Sequence, residues 1–454
     1  MVSISGIRGV VGESLTPEVI VKYSAAFAEY CKRRRIVIGR DGRITGKIIG
    51  NIVSSTLLSM GCDVIALGVV PTPTVQLAVE HLGAAGGVSI TASHNPIEWN
   101  GSKFIGSTGM FLNKRENLKL WSIADSRSPK YATWENIGKH SADESWIDRH
   151  IEKVIQLPYV TPDRIKRKHF RIVVDSINAA GGIVVPKLLR TLGCDVIEMN
   201  CDLSGVFVRK PEPIPENLTQ LCSAVLKEKA DFGIAVDPDV DRLALITEKG
   251  EPFGEEYTIT SAVKFVLGHP QQKSKSPRKV VVNLSTTRAV DDVAHESGAT
   301  VVRTPVGEIN VASKMKEIGA IIGGEGSGGV ILPAVHYGRD AIVGIGLILQ
   351  QLTEFGGTLS QFKATLPQYV IVKDKIGIGK RDAETVLKNI RKNKPNGGKV
   401  NAEDGLKISF RDSWVHLRKS NTEPIIRIIA EAPTHKEAAQ LVQSFKARIL
   451  KAGN

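Results

Sequence analysis

Thr91-Ala92-Ser93-His94-Asn95-Pro96, with Lys103 shortly after, sets a hydroxyl beside an imidazole and near an ammonium group. A serine at the end of a buried strand with proton-transfer partners at hand can serve as a covalent nucleophile. The same residues also suit an Asn-Pro turn carrying a surface histidine. Asp237-Pro238-Asp239-Val240-Asp241-Arg242 carries three carboxylates at alternate positions. In an extended stretch they point the same way and repel one another unless a cation lies among them. Hard oxygen ligands suit Mg2+ or Ca2+ better than zinc. An EF-hand loop is excluded, because the glycine required at its sixth position is Arg242 here. An Asp-x-Asp phosphatase, with Asp237 itself phosphorylated, stays open, as does a solvated acidic turn.

Gly324-Glu325-Gly326-Ser327-Gly328-Gly329 matches G-x-G-x-x-G, yet Val330-Ile331-Leu332-Pro333 follows where a dinucleotide site needs a helix. A glycine turn offering Glu325 and Ser327 to a hydroxylated ligand fits better, with a plain turn as the alternative. Arg418-Lys419-Ser420-Asn421-Thr422-Glu423-Pro424, with Arg427 in the next strand, gathers two guanidinium groups, hydroxyls and turn amides. That is a cradle for a phosphate dianion, or else a charged hairpin turn.

These loops must be held by a scaffold, and the chain contains a threefold repeat that supplies one. Ile36–Gly39, a helix over about Gly46–Met60, Val64-Ile65 and Gly87–Thr91 form the first unit. Arg171–Asp175, Asp195–Ile197 and Phe232–Val236 mark the second; Val280–Asn283, Gly298–Val302 and Ala320–Gly324 mark the third. β-branched runs alternating with helical segments indicate mixed, mostly parallel α/β sheets. Ligands bind beyond the carboxyl ends of such strands, so the three loops lie where chemistry is expected. After Pro367 the pattern changes to an α+β tail, with strands at Tyr369–Lys373, Leu406–Phe410, Ser413–Arg418 and Ile425–Ala430 and helices at Ala383–Lys392 and His435–Lys451. The expected domains are 1–153, 154–253, 254–366 and 367–454, with a cleft between all four.

Composition narrows the function. The chain has 454 residues and a net charge of +13. Its basic clusters (Lys32–Arg35, Arg164–Arg171, Lys273–Lys279, Arg391–Lys399) are far apart and each precedes an apolar run, as solvated loops entering strands do. Aromatic residues make up only 5%, so a nucleic-acid surface is not expected, whereas steering of small anions is. The five scattered cysteines form no C-x-x-C pair and read as core residues. The longest apolar run, Ala341–Leu349, falls short of the roughly 18–20 residues of a membrane span. Met1–Gly6 is followed by no apolar leader region, so a cytoplasmic location is expected.

Together the four loops resemble those of the α-D-phosphohexomutase superfamily across essentially the whole chain. Its phosphoserine signature T-A-S-H-N-P stands at Thr91–Pro96, D-x-D-x-D-R at Asp237–Arg242, G-E-x-S-G at Gly324–Gly328 and R-x-S-[GN]-T-E-P at Arg418–Pro424. Gly6-Ile7-Arg8-Gly9 is similar to its N-terminal loop. The resemblance implies that Ser93 is a phosphoserine donating to a sugar phosphate. A hexose 1,6-bisphosphate forms, reorients and returns its other phosphate. Mg2+ is then held by Asp237, Asp239, Asp241 and a phosphoserine oxygen, and Lys103, His94 or both handle the proton. Glu325 and Ser327 grip sugar hydroxyls; Arg418, Ser420, Asn421, Thr422 and Arg427 hold the idle phosphate; Arg8, Arg43 and Arg242 support them. The partner is a small phosphosugar, and the chain is expected to act as a monomer or homodimer.

The chain departs from the family pattern in places. Many bacterial members carry a histidine where Gly329 stands, and His336 is a candidate to replace it. Ser3-Ile4-Ser5 replaces the usual F-G-T, so a short N-terminal strand is expected. The loops look most like the archaeal-type phosphoglucosamine mutase branch, which overlaps with phosphoglucomutase/phosphomannomutases. Glucosamine phosphate is the expected substrate, with glucose and mannose phosphates as the alternative. A haloacid-dehalogenase-like phosphatase and an idle sugar-phosphate-binding protein are the readings from other classes.

Overall fold

The computed structural model describes residues 2–3, 6–126, 128–270, 277–379, 381–420 and 423–451. Among these, the strands form four sheets. The first contains β1 (Val2–Ser3), β2 (Gly6–Val10), β3 (Ile36–Arg40), β4 (Val64–Val69), β5 (Gly86–Ile90), β6 (Trp99–Gly106) and β7 (His140–Ala142), in the order β1-β2-β6-β5-β3-β4-β7. The second contains β8 (Arg171–Asp175), β9 (Asp195–Met199), β10 (Phe232–Val236) and β11 (Leu243–Thr247), ordered β11-β10-β8-β9. The third contains β12 (Lys279–Asn283), β13 (Thr300–Thr304), β14 (Ile322–Glu325) and β15 (Gly329–Ile331), ordered β13-β12-β14-β15.

The repeat read from sequence is a repeat of topology. In each sheet the unit's first strand (β3, β8, β12) lies between its second and third, paired parallel to both. A fourth strand (β6, β11, β15) then returns antiparallel against the third. Each of the three chemistry loops therefore occupies the same place, the reversal between a unit's third and fourth strands. The third strands β5 and β10 are buried along their whole length, which accounts for their continuous apolar character. Hydropathy did not mark the returns, β6 because glycine and polar residues interrupt it and β15 because it is only three residues long.

The fourth sheet, β16 (Val370–Gly377), β17 (Lys399–Asn401), β18 (Leu406–Ser409), β19 (Trp414–Lys419) and β20 (Ile425–Ala432), is antiparallel throughout in the order β16-β20-β19-β18-β17. The helices Ala383–Lys392 and His435–Lys451 lie where they were expected. β16 runs four residues further than the sequence suggested, because it pairs with the whole of β20.

The cores divide unequally. One continuous apolar cluster extends from Val37 to Leu366 and is shared by the first three sheets. The fourth sheet has a separate cluster running from Ile378 to Ile449. At the centre of the shared core lies the helix Ala341–Phe355, buried on nearly every side, which is why its sequence is so uniformly apolar. Asp340 caps it, accepting from the Ile342 and Val343 amides. No helix among the described residues is long and apolar enough to cross a membrane.

Candidate active site

Ser93 sits at φ +50° and is almost fully buried, a left-handed backbone that a non-glycine residue adopts only when its surroundings enforce it. Here the enforcing group is Arg43. Its guanidinium donates to the carbonyls of Ser93 (2.6 Å), Asn95 (2.7 Å), Pro96 (2.7 Å) and Trp99 (2.8 Å), while Nε pairs with Asp41. Asp41 also accepts from Thr91 Oγ1 (2.6 Å), which in turn accepts from the Ser93 amide. Arg43 is thus not a free supporting charge, as the sequence suggested, but the clamp that shapes the serine loop. Arg8, on β2, donates to Asn95 Oδ1 from the neighbouring strand.

The Ser93 hydroxyl faces the second loop, 3.2 Å from Asp237 Oδ2. Asp237, Asp239 and Asp241 are fully buried and bring one carboxylate oxygen each within 4.8 Å of one another. They converge through a turn, not through extended alternation. Val240 adopts φ +61°, its amide bonds Asp237 O, and Asp237 Oδ1 accepts from the Asp241 and Arg242 amides. Domain I presses on this turn: Thr72 Oγ1 (2.8 Å) and Lys103 Nζ (2.7 Å) both donate to Asp239 Oδ2. Burial and the flanking carboxylates push the Asp237 carboxyl well up. Burial works against Asp241 too, but Arg339, Lys103 and Arg242 hold it below the usual carboxylate range.

Among the described residues, two buried oxygens of the cluster, Asp239 Oδ1 and Asp241 Oδ1, have no hydrogen-bond partner, with Arg242 Nε 3.7 Å from the second. Orphaned anionic oxygens are costly unless a cation shares them, so this donor set fits a hard divalent ion such as Mg2+.

His94 and Lys103 differ in protonation. Burial, and then the Arg242 guanidinium donating to Nδ1 at 2.8 Å, drive the His94 imidazole down to about 2. Its Nδ1 also lies 3.4 Å from Ser93 Oγ. Burial disfavours the Lys103 charge, yet Asp239 and Asp241 hold it above its ordinary range.

Glu325 ends β14 with both oxygens engaged. Oε1 accepts from Asn283 Nδ2 (2.8 Å) and the Gly307 amide (2.9 Å), and Oε2 accepts from Arg339 (2.7 Å). Ser327 stands at the tip of the same turn, partly exposed. Arg339 was not singled out from the sequence, yet it joins the second loop to the third: fully buried, it also bonds Asp241 Oδ2 (2.5 Å) and Glu308 Oε2 (3.1 Å). His336, from the same His-Tyr-Gly-Arg-Asp stretch, turns instead into a buried contact in which it and His150 share Asp340 Oδ2. The space that a side chain at position 329 would occupy belongs to Arg339, whose Cδ a Cβ there would strike. Gly329→His should therefore displace Arg339 and cost about 1–3 kcal/mol of stability. Chemical denaturation of the ligand-free protein measures it.

Gly326 has a comparable constraint, since a Cβ there would collide with the carboxylate of Glu256. Burial pushes the Glu256 carboxyl up from its ordinary 4.5 to about 8. Between those values the folded protein keeps a proton that the unfolded chain has lost, so this contribution to stability is full below about pH 4.5 and gone above pH 8. Glu256→Gln, which stays neutral, should exceed the parent in stability at pH 9 by at least about 1 kcal/mol and lose that advantage at low pH. Urea titrations across the range test the sign.

In the fourth sheet Arg418 and Arg427 stand directly opposite each other, and Lys375 stands opposite Arg427 on its other side. Three cations in one cross-strand row repel unless an anion lies over them. Lys375 was not legible in the sequence, because register brings it here. Ser420 follows β19; Asn421 and Thr422 lie outside the described residues.

Models for all four domains of "phosphoglucomutase/phosphomannomutase" match the chain in order: α/β/α domain I at residues 2–130, II at 148–250, III at 255–369 and the C-terminal domain at 369–448. A "probable phosphoglucosamine mutase" of Methanopyrus kandleri is 36% identical over 443 residues, covering 97% of this chain and 96% of that protein. A "phosphoglucomutase/phosphomannomutase" of Thermococcus kodakarensis is 37% identical, covering 96% of each. The crystal structure of a phosphoglucomutase/phosphomannomutase family protein from Burkholderia thailandensis superposes with a TM-score of 0.85 at 25% identity, covering 100% of this chain and 98% of that one.

Proposed function

The chain belongs to the phosphoglucomutase/phosphomannomutase family, and on that premise we propose that it interconverts hexose 6-phosphates and hexose 1-phosphates through a phosphoserine at Ser93 and a hexose 1,6-bisphosphate. One observation carries this reading. A strained, buried serine faces three convergent carboxylates, and a chain of direct contacts leads from them through Arg339 to Glu325. A nucleophile, a cation site and a hydroxyl-binding acid stand in line, with a row of cations in the fourth domain for a second phosphate.

In the proposed cycle the bond between Ser93 Oγ and phosphorus breaks as a bond to a sugar hydroxyl oxygen forms. The hydroxyl proton leaves and Ser93 Oγ regains one. In the resting site Lys103, an ammonium, can return a proton to Ser93 Oγ, whereas His94, neutral and with Nδ1 already engaged by Arg242, offers only a weak acceptor for the hydroxyl proton. Arg8 and Arg43 keep the serine loop in shape, and Arg242 orients His94. Glu325, with its oxygens pinned from three sides, accepts from sugar hydroxyls without reorganising, and Ser327 offers its own hydroxyl beside it. Arg418, Arg427, Ser420, Asn421 and Thr422 hold the phosphate that is not reacting, joined by Lys375. Mg2+, held by Asp237, Asp239, Asp241 and the phosphoserine, would supply charge compensation for the transferring group.

Among sugars we favour glucosamine phosphate, since the chain is similar over nearly its full length to a protein named as a probable phosphoglucosamine mutase. Glucose and mannose phosphates are the second reading, because a relative of equal similarity carries the other name. Turnover at matched concentrations of glucosamine 6-phosphate, glucose 1-phosphate and mannose 1-phosphate, with Mg2+ and a trace of bisphosphate, decides between them. A clear preference for glucosamine phosphate supports the first. Equal or faster rates with the others support the second.

A further inference from the structure

The fourth domain has its own core, and several polar contacts tie it to the third. Two of those ties converge on Glu325. The first begins at Arg418, whose Nε forms an ion pair with Asp404 Oδ2 at 3.0 Å. The same Asp404 oxygen accepts from the Val306 amide (2.9 Å), and the next amide along, Gly307, donates to Glu325 Oε1 (2.9 Å). The second begins at His416, two residues before Arg418 on β19 and fully buried. Its Nε2 contacts the Asp404 carbonyl (2.6 Å), which can only accept, so Nε2 donates and Nδ1 accepts from Ser285 Oγ (2.9 Å). The Ser285 amide bonds Asn283 Oδ1, and Asn283 Nδ2 bonds the same Glu325 Oε1. Burial keeps His416 neutral, down to about 4, so this tautomer holds throughout the working range.

We propose that Asp404 and His416 are positioning residues that couple the phosphate cradle of the fourth domain to the sugar-binding carboxylate of the third, so that Glu325 is oriented only while the fourth domain is docked with Arg418 in place. The proposal rests on the roles given above to Glu325 and Arg418. Its physical content is that one carboxylate oxygen is held by two donors, Gly307 N and Asn283 Nδ2, and each donor lies beside a residue, Val306 or Ser285, that the neighbouring domain holds. A sugar phosphate gripped at its phosphate end would thereby meet a glutamate already aimed at its hydroxyls. With the fourth domain undocked, Val306-Gly307 and Ser285 lose their anchors and the donors on Glu325 Oε1 loosen, leaving Oε2 on Arg339.

Two readouts on the full-length chain test this. Hydrogen–deuterium exchange, without any sugar, follows the peptide covering Val306 and Gly307. Asp404→Ala should speed its exchange tenfold or more, while Asp404→Asn, which keeps an oxygen for the Val306 amide but not the charge facing Arg418, should leave it protected. The second readout is kcat/KM for the best hexose phosphate in a double-mutant cycle of Asp404→Ala with Glu325→Gln. Coupling predicts that the double variant loses at least tenfold less than the product of the two single losses. Unchanged exchange in Asp404→Ala, or losses that simply multiply, would overturn the proposal. Should Asp404→Ala not fold, His416→Ala enters both measurements, with exchange followed at the peptide covering Asn283 and Ser285, which should speed tenfold or more. A parent chain that turns over no hexose phosphate refutes the function proposed above, and the exchange result then decides the linkage alone.

Discussion

Ser93→Ala is expected to lose mutase turnover by on the order of 10^4-fold or more while folding normally, because it removes the atom that carries the phosphoryl group and nothing that shapes the loop. The shape depends on main-chain atoms: Arg43 holds the carbonyls and Thr91 the amide of residue 93, none of which alanine alters. Steady-state assays with purified, Mg2+-loaded protein measure the loss, and intact-mass analysis should show a phosphorylated parent and an unmodified variant. The matching experiment at Asp237 separates the two covalent chemistries open from the sequence. A phosphatase that forms an aspartyl phosphate would keep its activity in Ser93→Ala and lose it in Asp237→Asn. A mutase loses nearly all activity in the first variant, and the second still becomes phosphorylated at Ser93.

Arg339→Ala should be the most destabilising single substitution in the cleft. The side chain is buried among Asp241, Glu325 and Glu308 and bonded to all three, and its removal leaves Glu325 and Glu308 without their cation and Asp241 with only Lys103 and Arg242 beside it. Breaking one partner out of a buried ionic group costs about 3–5 kcal/mol. The expected result is a fall of that size in urea denaturation, accompanied by a drop of about 100-fold in kcat/KM as Glu325 loses its alignment. Divalent metal gives the substitution a specific signature. With the arginine gone, Lys103 and Arg242 alone offset the aspartates and the cluster is more negative, so Mg2+ should stabilise the variant by more than it stabilises the parent. Equal stabilisation of both would show that Arg339 and the aspartate cluster are electrostatically independent.

The readable parts of the site were those in which chemistry is packed into consecutive residues. Ser93-His94, the three aspartates, Glu325 and Arg418 each announce themselves in a short motif, and the threefold pattern of apolar strands placed three of these loops at strand ends. Contacts that depend on tertiary geometry were not readable. Arg339 sits three residues from the histidine that drew attention, and only the packing against Gly329 shows that the arginine holds the position. Lys375 joins Arg418 and Arg427 through cross-strand register, which a single sequence does not encode locally. Arg43 looked like a cleft charge because arginines near phosphate sites commonly are. Its partners are instead backbone carbonyls, a role invisible without coordinates. The three aspartates do converge, as their spacing suggested, but through a turn, since the left-handed Val240 replaces the expected extended stretch.

The division of the interior has a bearing on how such chains diverge. Residues 369–448 carry a fold with its own packed centre, whereas the three preceding units, beside smaller clusters of their own, share one continuous apolar interior. A recombination event that exchanged the last unit between two lineages would need to match only the contacts along one boundary. Exchange of any earlier unit would require recutting a common apolar interior. The end of the cleft proposed to hold the idle phosphate is therefore free to have an ancestry different from that of the end proposed to carry the nucleophile, and phylogenies built separately from the two segments need not agree.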